Sequence, residues 1–463
     1  MIFSSLEFIF IFLPILLIIY YITPNKYRNY ILLFGSIIFY FLGVKDHPEY
    51  LLILLISVII NYFFGRLIGK NEKYSKLILI LGIICNLSLL FVFKYYDFAV
   101  SIISKISAKE IKTLNLVLPL GISFYTFQVI GYLIDVYKEK YDPEKSLLNF
   151  STNMIFFAKI ISGPIVQFDD VKKQLNGRPY KLAKFIQGVR YFIVGLGFKT
   201  IIADNIGIMW NDILMIGIES VSTPLAWLGI FAYAFEIYFD FWGYSVMAQG
   251  IGKMFGIDLP DNFNLPYLSK SFTEFYRKWH ITLGTWFKNY IYIPLGGNRK
   301  GKARTILNLF IVWLITGLWH GANWNFIIWG IFIWILIVNE KLWFKKYLDK
   351  YPIIGHIYMI FLIPLTWTIF NITDLAQLKI MFEKLFPFLC SNEVIDKLDF
   401  VEYIKNYGIL MIISIICSTQ LPKNLIEGKK YDWIEMVILL AIFWLSVYLL
   451  YTGLSNPFLY FSF

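Results

Sequence analysis

Apolar runs, many of them about 20 residues long, recur along this sequence with short polar connections between them. A helix of about 20 apolar residues spans the hydrocarbon core of a bilayer, and within lipid only a helix satisfies its own backbone hydrogen bonds. The roughly ten-residue alternating segments of a transmembrane β-barrel are not visible. The sequence therefore predicts an all-α, polytopic integral membrane protein.

The charged residues fit a membrane protein and do not indicate nucleic-acid binding. Of the 463 residues, 58% are hydrophobic and 16% are charged, whereas about a quarter of the residues of a soluble domain are charged. The formal net charge is +11, but the Lys and Arg residues lie in short loops, where the positive-inside rule places them. We predict a lipid bilayer and no nucleic acid as partner.

The three cysteines, Cys85, Cys390 and Cys417, are widely spaced and form no CxxC or His-paired pattern. We therefore predict neither a metal site nor a disulfide framework, and expect Cys85 and Cys417 to be small packing residues.

The order of apolar and basic segments predicts the topology. Basic residues follow the first apolar segment, residues 6–22, at Lys26 and Arg28, so the N-terminus is predicted outside and the first loop inside. About 11–13 transmembrane or re-entrant helices are expected from the apolar segments, and no internal repeat or linker divides them. We predict a single membrane domain over residues 1–463, composed of N-terminal helices (1–136), a core with two histidines (150–338), and C-terminal helices with an aromatic tail (352–463).

Three stretches depart from regular spans. Gly163 and Pro164 interrupt an apolar run and predict a broken or re-entrant helix. Residues 272–295 are aromatic but too polar for a lipid-facing span, so an interfacial or re-entrant segment is expected. Residues 305–336 are too long for one span and contain the sequence GLWHG, which predicts two helices that meet near His320.

Two carboxylates, Glu236 and Asp240, lie four residues apart in another apolar span and share one face of the predicted helix. Carboxylates at membrane depth usually face the interior of the bundle or a water-filled cavity. A structural role as hydrogen-bonding groups and a functional role are both open.

The candidate reaction centre is built on His280 and His320, each directly preceded by a tryptophan (Trp279 and Trp319). Packing is the common role of a histidine in a membrane helix, but Gly317 and Gly321 flank His320 at a spacing that allows close approach. Imidazole has an ordinary pKa near 6.5 and suits general-base catalysis. We expect His320 to take a proton from an incoming hydroxyl, and His280 to orient the acyl donor or its carbonyl oxygen.

Three stretches carry a family resemblance: YFDFWGYSVMAQGIGKMFGIDLPDNFNLPY (238–267), FYRKWHITLGTWFKNYIYIPLGGNRKG (275–301) and TGLWHGANWNFIIWG (316–330). They resemble the membrane-bound O-acyltransferase (MBOAT) family, most closely its alginate O-acetylase branch. The resemblance implies helices around a central tunnel, and an acetyl group that passes from cytosolic acetyl-CoA through the membrane to an extracytoplasmic polysaccharide. His320 matches the family's essential histidine and His280 its second characteristic histidine.

The same resemblance implies a set of partners and a cellular location. Acetyl-CoA would be a substrate, with no bound cofactor. An extracytoplasmic SGNH-type transferase or esterase would complete delivery, so that the polysaccharide acceptor is reached indirectly. A bacterial cytoplasmic membrane is the expected location.

Further candidate site residues surround the histidines in sequence. Candidate tunnel or substrate-binding residues are Asp240, Trp319, Asn323, Trp279 and Tyr276. The basic residues of the segment 298–304, which are Arg299, Lys300, Lys302 and Arg304, either follow the positive-inside rule alone or attract the phosphates of coenzyme A. Tyr460 in the aromatic tail is either an interfacial anchor or, by the resemblance, an acyl carrier that His320 activates.

Two other functions remain open at this point. One is D-alanyl transfer onto teichoic acid, although the NFNLPY and YIPLGGNR elements look like the acetylase branch. The other is a non-enzymatic transporter or flippase of envelope intermediates. That class typically has intramembrane charges along a path and repeated halves, and this chain has one histidine-centred region.

Overall fold

The computed structural model describes residues 1–175, 177, 181–388, 396–428, 433–453, 458 and 459. Within these ranges the regular structure is helical, and the only β-type pairing is one isolated bridge between Phe263 and Trp279. Eight of the described helices are long and apolar enough to cross a membrane: Glu49–Lys70, Ser75–Ser107, Leu182–Ile216, Gly301–His320, Trp324–Lys350, Pro352–Asn371, Asp399–Cys417 and Trp433–Tyr451. The prediction of an all-α, multi-pass membrane protein is confirmed.

The chain forms two compact units, and all the predicted site residues that the structure describes belong to the second. The first unit comprises Met1–Phe192, Ser245–Asp261 and Thr285–Tyr290; the second comprises Ile193–Tyr244, Asn262–Gly284 and Ile291–Phe463. One membrane domain over residues 1–463 stays a prediction.

The first unit is built around the helix Ile122–Tyr137, whose residues are almost all buried. Its other helices include Leu13–Ile22, Arg28–Gly43, Glu49–Lys70, Ser75–Leu90, Tyr96–Ser107, Leu147–Ile155, Phe157–Ile160 and Phe168–Leu175. The predicted break at Gly163 and Pro164 is confirmed, because the helix before it ends at Ile160. The central helix begins at Ile122, after Gly121 in the left-handed conformation (φ 72°).

The second unit contains, wholly or in part, the helices Leu182–Gly197, Asp204–Ile216, Thr223–Met254, Phe272–Lys278, Ile281–Phe287, Gly301–His320, Trp324–Asn339, Lys345–Lys350, Pro352–Asn371, Leu375–Leu385, Asp399–Cys417, Gln420–Glu427 and Trp433–Tyr451. The short helices after Ser271 confirm that this polar, aromatic stretch is not a regular span. The predicted pair of helices at His320 is also confirmed. Asn323 is the N-cap residue of the second helix, a position that asparagine favours, and its side-chain oxygen accepts a hydrogen bond from the adjacent Trp324 N–H at 2.6 Å.

Candidate active site

His320 is the last residue of its helix and only 5% of its surface is exposed. Three aromatic rings meet its imidazole at steep angles: Trp319 at 4.9 Å, Trp329 at 5.2 Å and Phe370 at 5.0 Å between centroids. Trp329 comes from the following helix and Phe370 from the end of Pro352–Asn371. Three helices therefore enclose one titratable side chain in aromatic surroundings.

Glycines bring the two helices that meet near His320 into backbone contact. A Cβ added at Gly317 would meet the carbonyl oxygen of Phe326, and one added at Gly330 would meet that of Trp313. Small residues at such a crossing let membrane helices approach closely. The close approach at Gly317 agrees with the prediction from the glycines around the histidine, and it places Trp329 against the His320 ring.

His280 lies between two short helices in a left-handed backbone conformation (φ 45°), and only 3% of its surface is exposed. The loop that begins at Asn262 holds the backbone on both sides of it. The Ile281 N–H donates to the Asn262 carbonyl at 3.0 Å, and the Asn264 N–H donates to the Lys278 carbonyl at 3.0 Å. Two of the sequence elements that carried the family resemblance therefore pair with each other and position this histidine.

Trp279 and Tyr276, both predicted to line a tunnel or bind substrate, lie in a dense aromatic layer beside His280. Trp279 is buried, with Phe263 at 5.0 Å and Trp367 at 4.7 Å between centroids. Tyr276 packs against Trp313 at 4.4 Å. Their part in substrate binding stays a prediction.

The Trp319 ring lies close to both histidines. Its centroid is 6.0 Å from that of His280 and 4.9 Å from that of His320, and Phe241 meets His280 from another side at 4.7 Å. We call Phe241, His280, Trp319, His320, Trp329 and Phe370 the histidine cluster. The structure thus brings the two predicted histidines together.

His280 lies outside the eight candidate spans. Burial lowers its pKa to about 3, because removing the imidazole from water disfavours its charged form. Near neutral pH this imidazole is therefore neutral, with one nitrogen able to donate a hydrogen bond and the other able to accept one.

Asp240 belongs to a buried ion cluster that sequence reasoning found only in part. The Lys199 ammonium lies 2.7 Å from a carboxylate oxygen of Asp240 and 2.7 Å from one of Asp204, and each of the three side chains is at most 3% exposed. Lys199 lies in a π-helical turn, Phe198–Ala203. A lysine and an aspartate within an apolar run were the available signal, because a buried charge requires a partner.

Glu236, one turn before Asp240, is buried against the backbone of Gly207, where an added Cβ would meet its carboxylate. The second oxygen of Asp240 accepts a hydrogen bond from the Leu459 N–H at 2.9 Å. Both carboxylates that the sequence singled out therefore face the interior of the unit.

Two further polar residues, which were not predicted from the sequence, form hydrogen bonds that hold the segments around the histidines. Glu340 accepts hydrogen bonds from the Phe272 and Thr273 N–H groups at 2.5 and 3.0 Å, which caps the helix before His280. The Asn325 carboxamide donates to the Phe370 carbonyl at 2.7 Å and so holds Phe370, a neighbour of His320. Single polar side chains within apolar or aromatic segments were the available signal.

The remaining predicted residues lie at the edge of the site or outside the described part of the chain. Asn323 caps a helix, as described above. The basic residues Arg299, Lys300, Lys302 and Arg304 are all exposed, and Arg304 donates to the Leu295 carbonyl at 3.3 Å. Tyr460 lies outside the described residues. Among those that are described, no group of three His, Cys, Asp or Glu side chains could hold a metal ion.

Comparisons with known proteins identify the family. The model of the membrane-bound O-acyltransferase family (MBOAT) matches residues 144–373. The chain is 38% identical to the probable alginate O-acetylase AlgI of Pseudomonas aeruginosa, over 84% of this chain and 75% of that protein. It is 34% identical to the peptidoglycan O-acetyltransferase of Helicobacter pylori, over 100% of this chain and 98% of that protein. It is 32% identical to the teichoic acid D-alanyltransferase of Streptococcus thermophilus, over 49% of this chain and 58% of that protein. The chain therefore belongs to the membrane-bound O-acyltransferase family, among its alginate O-acetylase-like members, and is an O-acyltransferase.

Proposed function

We propose that this enzyme moves an acetyl group from cytosolic acetyl-CoA across the membrane for O-acetylation of an extracytoplasmic polysaccharide. The observation that carries the proposal is the histidine cluster, in which one tryptophan ring neighbours both His280 and His320. Similarity to an alginate O-acetylase and a peptidoglycan O-acetyltransferase over most or all of the chain supports acetyl as the group and polysaccharide as the final acceptor.

His320 is the general base in the proposed reaction. Its imidazole takes the proton of an acceptor hydroxyl while the hydroxyl oxygen attacks the thioester carbonyl. The carbon–sulfur bond then breaks, and coenzyme A leaves with the electron pair. Such a base typically accelerates a reaction by about 10²–10⁴-fold. The carboxyl end of a helix carries partial negative charge, so the position of His320 favours the imidazolium formed in this step.

His280 is proposed to orient the donor. A neutral imidazole can donate its N–H to the thioester oxygen, which becomes negative as the carbonyl is attacked. The left-handed backbone and the hydrogen bonds of the loop at Asn262 hold the ring in one place, and a fixed donor requires little reorganisation during the reaction.

The other parts of the proposal concern entry and delivery. The exposed basic residues at 299–304 suit the phosphates of coenzyme A. Tyr460 is an acyl-carrier candidate whose hydroxyl His320 would activate, and an extracytoplasmic SGNH-type partner would pass the group to polysaccharide. A bacterial cytoplasmic membrane with the N-terminus outside is consistent with this arrangement.

The decisive experiment replaces His320 by alanine and measures acyl groups on envelope polysaccharide in cells that lack the native gene. We expect at least a 100-fold loss of acylation, in line with removal of a general base. His356→Ala is the matched control, because this histidine lies outside the cluster. Equal acylation by His320→Ala and the parent enzyme would refute the catalytic role.

Mass spectrometry of the released acyl group separates acetyl from D-alanyl transfer. The D-alanyltransferase aligns with only 49% of the chain, so we expect acetate. Release of D-alanine instead would overturn acetyl-CoA as the donor. The catalytic role of His320 would still be tested separately by the His320→Ala assay.

A further inference from the structure

The C-terminal residues Phe458 and Leu459 are docked beside the histidine cluster. The Phe458 ring is buried and stacks on Tyr244, with centroids 4.5 Å apart and planes 24° apart. It also lies 6.1 Å from Phe241, the ring that meets His280. The tail is thus one aromatic ring away from a histidine of the proposed reaction centre.

Asp240 holds the backbone of this tail directly. One carboxylate oxygen accepts the Leu459 N–H at 2.9 Å, and the other lies 2.7 Å from the Lys199 ammonium. Both oxygens are therefore engaged by groups of the protein. A hydrogen bond to a charged group is stronger than one between neutral groups, and the ion pair with Lys199 makes a buried negative charge tolerable.

Asp240, which binds the Leu459 N–H, and Phe241, whose ring meets His280, are adjacent residues of one helix. Asp240 and Tyr244 lie one turn apart on the same helix, and Phe241 lies between them. One short helical segment therefore contacts the tail through its carboxylate and a ring, and contacts His280 through the adjacent ring. The residue that follows the anchored Leu459 is Tyr460.

We propose that Asp240 is a positioning residue whose carboxylate, balanced by Lys199, anchors Phe458 and Leu459 near the histidine cluster, and that acyl transfer requires this docking. The requirement for transfer rests on the function proposed above, whereas the docking itself does not.

The test measures the accessibility of the tail. Leu459→Cys is introduced into a variant that lacks the three native cysteines, and the rate of maleimide labelling is measured in detergent. The cysteine keeps the backbone N–H that binds Asp240. We expect Asp240→Ala to increase the labelling rate about 10- to 100-fold, the range that corresponds to loss of one charge-assisted hydrogen bond. Asp240→Asn, whose side-chain oxygen still accepts the N–H, should give a smaller increase.

Asp204→Asn is the matched control, because it changes the same buried ion cluster without touching the tail. Its labelling rate should equal that of the parent. Phe458→Ala removes the ring that stacks on Tyr244 and tests the docking even if Asp240→Ala does not fold. Its labelling rate should also rise at least tenfold. An unchanged rate in the Asp240 and Phe458 variants, or an equal increase in Asp204→Asn, would overturn the anchor.

Acyl transfer from acetyl-CoA is measured in the same variants. We expect kcat to fall at least tenfold in Asp240→Ala, with the KM for acetyl-CoA unchanged and partial recovery in Asp240→Asn. Increased labelling with full kcat would overturn the requirement of docking for transfer. The maleimide labelling assay contains no acyl donor. Its result on docking therefore stays valid even if acetyl-CoA is not the donor.

Discussion

The crossing of the two helices at His320 makes Gly317→Ala an informative substitution. The new Cβ would meet the Phe326 carbonyl oxygen, and it would lie 3.2 Å from the carbonyl carbon of that residue and 3.5 Å from the Gly330 Cα. These are backbone atoms of the facing helix, so no side-chain rotation relieves the contact. The helices must separate by about 1 Å to restore van der Waals distances.

The expected magnitude follows from two opposing effects. Overpacking costs about 1–3 kcal/mol, and a contact with backbone belongs at the upper end of that range. Alanine gains about 1 kcal/mol over glycine in helix propensity. The difference is a destabilisation of about 2 kcal/mol. Since Trp329 moves with the displaced helix and contacts His320, a shift of about 1 Å should lower kcat by about 100-fold.

The assay compares thermal unfolding in detergent and acyl-transfer rates for Gly317→Ala and Gly408→Ala. Gly408 also lies in a long apolar helix, but its added Cβ would meet only the Ile404 side chain, at 3.7 Å. The control should therefore gain up to about 1 kcal/mol in stability and keep full activity. A parent-like melting temperature and kcat for Gly317→Ala would refute the reasoning, as would equal damage in both variants.

Three further predictions concern the surroundings of His280 and the basic segment. Asn262→Ala removes the oxygen that accepts the Thr282 hydroxyl at 2.6 Å, so the free energy of unfolding should fall by about 1–3 kcal/mol; an unchanged melting temperature would contradict this. The pKa of His280 is about 3 in the folded protein and about 6.5 when unfolded. The unfolded chain therefore binds the extra proton between these values, and stability falls as pH falls through this window, by about 1.4 kcal/mol per pH unit. His280→Gln should lack this pH dependence of stability. Equal slopes of melting temperature against pH, between about pH 7 and pH 5, in the variant and the parent would contradict the prediction. Lys302→Gln combined with Arg304→Gln should raise the KM for acetyl-CoA severalfold at low salt and less at high salt; a KM independent of salt would exclude the phosphate contact.

Sequence reasoning predicted those features that depend on local pattern. The broken helix at Gly163 and Pro164 follows from backbone chemistry, and the two helices at His320 follow from a run too long for one span. The polar, aromatic stretch after Ser271 was recognised as irregular because its composition does not suit lipid. Each of these signals lies within a few turns of the residues that it describes.

The features that sequence reasoning missed depend on contacts between distant segments. Asp240 was recognised as an intramembrane charge, but no pattern in the sequence around it indicates that Lys199 is its partner. The contact of Trp319 with His280 likewise joins a helix and a loop that are separate in sequence. Asn323 was predicted as a tunnel or substrate-binding residue, and its position before an apolar run also fits the N-cap that the structure shows.

The backbone of His280 has a consequence for how this enzyme responds to selection. A residue other than glycine in the left-handed region costs about 1–3 kcal/mol, whereas truncation of a large buried side chain costs about 2–5 kcal/mol through the cavity that it leaves. The buried His280 ring packs against Phe241 and Trp319, so a library screened only for heat resistance should keep a side chain at this position in spite of the strain. A glycine that relieves the backbone would lose both the packing and the chemistry.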